Sequence, residues 1–163
     1  MGGLATMNVV FRNVDVPEDA PVTAWPYEAL VTVLEEGLVN DWQPVIAEIR
    51  REPWGPVARK VEDYVRSSHE HPSTEFPSEG FDPQRALATF LTRIIKHARQ
   101  SLEERERAEV SERVLEALLR SGLTAAQFAE RLGTSASRFS TYVNGSVMPS
   151  AALLLRMERI AQG

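Results

Sequence analysis

Residues 122–150, GLTAAQFAERLGTSASRFSTYVNGSVMPS, constrain the fold more than any other part of the chain. They hold two short helical patterns, AAQFAERL and ASRFSTYV, with only Gly133, Thr134 and Ser135 between them. Glycine at 133 admits the left-handed backbone that ends one helix, and Ser135 caps the next. Thr124 is placed to cap the first pattern, and Asn144-Gly145 stops the second. Two helices joined by so short a turn cannot lie antiparallel along their length. They cross at a large angle, in the helix-turn-helix arrangement.

The two patterns differ in what they leave outside. In the first, Phe128, Ala129 and Leu132 share the buried side. In the second, at about 100° per residue, Phe139, Tyr142 and Val143 fall on one arc and Ala136, Ser137, Ser140 and Thr141 on the other. An ordinary solvated helix carries Lys and Glu on its outer face; this one carries small side chains. Such a helix can approach the floor of the major groove, where Ser and Thr hydroxyls and methyl groups read base edges. Arg138 sits at the border of the exposed arc, within reach of a phosphate or of a guanine edge bidentately.

This segment resembles the Cro/C1-type (XRE) helix-turn-helix regulators over residues 111–160. The features that carry the resemblance are Leu123, Thr124, Ala129, Leu132, Gly133, Asn144, Gly145 and Pro149, followed by the apolar helix AALLLRMERIA. The resemblance implies a lambda-repressor-like bundle of five helices with Ser135–Val143 as the recognition helix. It also implies base-reading positions at Ala136, Ser137, Ser140 and Thr141, with Arg138 beside them. Backbone contacts would come from Thr134, Ser135, Asn144 and Ser146, with Val147 near phosphate. Phe128, Ala129, Leu132, Gly133, Phe139, Tyr142 and Gly145 would build the motif. The chain departs from the family at Ala125, where a phosphate-contacting glutamine is common, and at Val147 and Met148, where basic loop residues are common.

The rest of the chain reads as helical. Residues 1–22 suit an extended arm or one short strand. A helical region is expected over 23–68. Its first helix starts near Thr23 and stops at Gly37, and its second is capped by Asn40 or Asp41. A third opens at Pro56, with Val57, Val61, Tyr64 and Val65 inward. Trp25, Trp42 and Trp54 lie close together in sequence and are expected in its core. Residues 69–81 combine prolines, serines and a glycine and read as a linker. Asp82-Pro83 then opens a connecting helix over 82–107, with Leu87, Phe90, Leu91, Ile94 and Ile95 on one face. Ser101 with Glu104 matches a capping box, so a break is expected near 100–110, ahead of a DNA-binding domain at 108–163. The expected fold is all-α, with a small N-terminal helical domain followed by the C-terminal bundle.

Composition narrows the function. The chain has 163 residues, no cysteine and a net charge of −5. The absence of cysteine removes disulfides and thiolate zinc sites and fits a cytoplasmic protein. The negative charge excludes coating nucleic acid through bulk charge. The acidic excess lies before residue 100, so DNA contact would come from a local surface. No glycine-rich phosphate loop, metal-ligand spacing or nucleophile-base order appears; His69 and His71 are loop residues without a third ligand, and no cofactor is expected. With no enzyme motif present, the resemblance to the Cro/C1-type regulators implies a non-enzymatic, sequence-specific DNA-binding transcriptional regulator, a repressor of phage-repressor or autoregulating-antitoxin type. Its expected partners are double-stranded DNA, a second copy in a homodimer, and a protein bound through the N-terminal region. A protein-interaction module with the helix-turn-helix as scaffold is the alternative. No membrane partner is expected, since no apolar run is long enough to span a bilayer.

Overall fold

In a computed structural model the chain is described over residues 16–17, 19–70 and 82–163. Every regular element among these residues is helical. A 3-10 turn, Val22–Ala24, precedes α1 (Tyr27–Glu36), α2 (Gln43–Arg51), α3 (Pro56–Glu70), α4 (Pro83–Ser121), α5 (Ala125–Leu132), α6 (Ala136–Val143) and α7 (Ala151–Ile160). The all-α expectation holds. The arm expected over 1–22 and the linker expected over 69–81 lie largely outside the described residues. Two of the linker's residues, His69 and Glu70, belong to α3.

The chain forms two compact units, residues 1–100 and 101–163. In the first, the apolar stripes of α1, α2 and α3 close on Leu91, Ile95 and Ala98 of α4. Leu30, Val33, Val45, Ile49, Val57 and Val61 are all at most 1% exposed. Each such side chain contributes about 1.5–3 kcal/mol by leaving water.

Local capping departs from expectation twice here. Pro26 stands ahead of the first helical residue, so α1 begins at Tyr27, later than expected. Asp41 does not cap α2; its carboxylate accepts the backbone N–H of Leu38 and fastens the turn that leaves α1. The tryptophans divide. Trp25 is buried and donates to Ala20 O, and Trp42 donates to Val33 O, both at 3.0 Å. Trp54 is 43% exposed, with the Arg99 guanidinium 5.7 Å from its ring centre. It is therefore an edge residue and not core.

The break expected near residues 100–110 is absent. α4 runs without interruption for 39 residues, capped by Asp82, whose Oδ1 accepts from the backbone of Gln84 and Arg85. Ser101 fits a capping box by spacing, yet its carbonyl lies in the helix and accepts from Arg105 Nε. The reason is the following sequence, LEERERAEV, in which nearly every residue is a good helix former and none is Pro or Gly. With α4 unbroken, the second unit has four helical segments where five were expected: the end of α4, then α5, α6 and α7.

Candidate nucleic-acid interface

The second unit is built around α5 and α6. Thr124 caps α5 by accepting from Gln127 N, and the Gln127 side chain accepts from Thr124 N, closing a reciprocal box. The helix buries Phe128, Ala129 and Leu132. It ends at Gly133, whose φ of +79° lies in the left-handed region that favours glycine. Gly133 N donates to Glu130 O and Thr134 N to Ala129 O, a paired stop that satisfies two orphan carbonyls. One residue later the chain re-enters helix: the Ser135 hydroxyl accepts from Arg138 N at 3.1 Å.

α6 is pinned by its aromatic residues. Phe139 lies 5.1 Å from Phe128 between ring centres, and both are at most 1% exposed. Tyr142 is also buried, while Val143 is half-buried at the core margin. At the C-terminal end Gly145 takes φ +72°, and Asn144 Oδ1 accepts from both the N–H and the hydroxyl of Ser146. Ser150 then caps α7 by accepting from Leu153 N.

The sequence did not disclose two further attachments. Ser111 on α4 donates its hydroxyl to Val143 O, and Arg107 donates from Nη1 to Gly145 O at 3.3 Å. Both carbonyls belong to the exit from α6, where no intrahelical donor remains. Thus α4 holds the end of α6 through residues more than thirty positions away, and no local pattern signals that.

Exposure differs among the residues expected to read bases. Ala136, Ser137 and Ser140 are exposed: Ser137 lies on the flank of α6 opposite Phe139, Ser140 to the side, and Ala136 in the first turn on the Phe139 side. The hydroxyls of Ser137 and Ser140 make no hydrogen bond among the described residues. Thr141 is half-buried, and its hydroxyl donates to Arg138 O at 2.7 Å, so its proton is already committed along the helix. Arg138 is exposed, but its Nε donates to Tyr142 Oη at 2.8 Å. That bond, and then the electrostatic pull of the same side chain, hold its pKa above the ordinary arginine value. Of the expected backbone contacts, Ser146 and Asn144 are exposed and joined in their turn, and Ser135 is exposed as a cap. Thr134 is half-buried with its N–H engaged. Val147 and Met148 are exposed, at 41% and 39%, so the loop after α6 presents an apolar surface.

Two capped helices of eight residues, a left-handed glycine between them and a small-residue outer flank form a recognisable geometry. Residues 103–162 match a family described as a helix-turn-helix domain. The C-terminal part of this chain is a helix-turn-helix domain. The match agrees with the resemblance read from residues 111–160, and it takes in Arg107 and Ser111. A helix-turn-helix domain points to a DNA-binding regulator and not to an enzyme. No curated protein and no solved structure matches the chain. Among the described residues no helix is long and apolar enough to cross a membrane.

Proposed function

We propose that this chain is a sequence-specific transcriptional regulator that represses by occluding a promoter. The observation that supports this most directly is the division of α6: Phe139 and Tyr142 fill the core, while Ala136, Ser137 and Ser140 stay outside it. In this reading Ala136, Ser137, Ser140 and Thr141 meet base edges. Thr134, Ser135, Asn144 and Ser146 lie along the sugar-phosphate backbone. A homodimer would present two α6 helices to half-sites about one helical turn apart. The antitoxin-like form of the reading adds a protein partner on the first unit. Leu38 and Val39 favour it; they stand 73% and 62% exposed in the connection after α1.

Those two residues also favour the second reading, a protein-interaction module in which the helix-turn-helix is scaffold. A mobility shift of the full chain on DNA from upstream of its own gene separates the two. The regulator reading expects sequence-selective binding, with log K falling by about 0.9 per neutralised phosphate as log salt rises. If the chain prefers no sequence even at low salt, the module reading stands instead.

A further inference from the structure

Arg138 was expected beside the base readers, in reach of either a guanine edge or a phosphate, and its placement argues for the phosphate. At about 100° per residue, the buried residues Phe139 and Tyr142 and the outward Ser137 define opposite sides of α6, and Arg138 lies at the margin between them. Its guanidinium does not extend outward over Ser137. It reaches one turn onward along the helix to the Tyr142 hydroxyl at 2.8 Å, toward the buried side. A planar cation held there flanks the reading face and does not enter its centre.

The chemistry of the tether matters as much as its direction. Arg51, Arg66, Arg99, Arg113 and Arg120 each face a carboxylate within 4 Å. Among the described residues Arg138 faces none, as is also true of Arg131, Arg156 and Arg159 in the same unit; what sets it apart is its hydroxyl partner one turn along α6. Its partner is a neutral hydroxyl, which orients a guanidinium without cancelling its charge. The remaining donors keep the geometry that matches phosphate oxygens in pairs. Orientation in advance also lowers the entropic cost of ordering a long side chain on binding. The shift of the arginine pKa away from neutrality agrees with this arrangement.

We propose that Arg138 is a contact to the DNA sugar-phosphate backbone at the edge of the groove, and that Tyr142 is its positioning residue. The proposal rests on the DNA-binding reading. It also supplies, from within α6, a charge that Val147 and Met148 leave out of the following loop.

The test uses the full-length chain and a duplex that the wild type selects from a randomised pool. Affinity is measured over a salt series and across single-base variants of that duplex. Arg138→Ala is expected to lower the slope of log K against log salt by about 0.9, which is about eightfold in affinity at 0.1 M salt, evenly across the variants. Tyr142→Phe keeps the buried ring and removes only the hydroxyl. It is expected to weaken binding by about two- to tenfold, again evenly, and to have no further effect in the Arg138→Ala background. Relaxed discrimination at one base pair in Arg138→Ala would make Arg138 a base reader and overturn the assignment. Undiminished affinity in Tyr142→Phe, or an effect that adds in full to Arg138→Ala, would remove the positioning role. Arg138 is exposed, so its variant keeps the fold and decides the first point even if Tyr142→Phe unfolds. A wild type that selects no duplex brings down the DNA-binding reading itself, a result separate from all of these.

Discussion

Tyr64 shows how much a single buried hydroxyl can set. It lies on α3 with 3% of its surface exposed. Its pKa is pushed from 10.0 up to about 12, first by loss of water around the ionised form and then by the negative charge of Glu35. The folded chain therefore holds this proton more tightly than the unfolded chain does. Below pH 10 both states are protonated and the full stability is present. Between pH 10 and 12 the unfolded state sheds the proton first, so stability falls as pH rises. Tyr64→Phe cannot ionise there. Urea unfolding of the two proteins across that window, followed by tryptophan fluorescence, is expected to show a shallower loss for the variant. Equal slopes would mean that the hydroxyl is not shielded from water. The sequence made Tyr64 legible as an inward residue by its spacing from Val57 and Val61. It could not disclose Glu35 as a neighbour, because that pairing depends on how α1 packs against α3.

At the scale of the element, α6 is too short to persist alone: eight residues are below what an isolated helix needs in water. It exists because both ends are held. Ser135 holds the first turn, and α4 holds the exit through Ser111 and Arg107. Ser111→Ala leaves the Val143 carbonyl without its donor. The variant is expected to lose about 1 kcal/mol, read as a lowered midpoint in thermal unfolding by far-UV circular dichroism. An unchanged midpoint would mean that water replaces the hydroxyl at no cost. The two ends of α6 also show what sequence can carry. Thr124, Gly133, Ser135 and Gly145 were readable because a cap or a left-handed turn is decided within four residues. Ser111 was not, because its partner is 32 residues away. Ser101 failed in the opposite sense. Its spacing to Glu104 satisfies a local rule, but a strong helix-forming run on both sides overrides it, and α4 stays whole. Asp41 likewise had a capping residue's identity, but it found its acceptor role one turn earlier, at Leu38.

At the scale of the molecule, charge and core are divided between the two units. The formal charge of −5 belongs to the chain as a whole, while residues after 107 carry five glutamates against six arginines. A nearly neutral head can approach DNA through a few placed cations such as Arg138 without a broad positive field. The cores divide in the same way: one cluster gathers α1, α2, α3 and the first part of α4, and the other gathers the end of α4 with α5, α6 and α7. Trp25, Trp42 and Trp54 all lie in the first unit and none lies in the second. Tryptophan fluorescence therefore reports the first unit alone, whereas far-UV circular dichroism reports both. Phe139→Ala removes a ring that is 1% exposed and packed on Phe128, which costs about 3–5 kcal/mol. That is a large share of what a unit of this size can hold. In urea the variant is expected to lose part of its helical signal at lower denaturant than the wild type, while the fluorescence midpoint stays where it was. The two probes would then no longer coincide, the mark of unfolding in more than one step. If instead the fluorescence midpoint moves together with the helical signal, α4 transmits the loss and the two cores fold as one cooperative body.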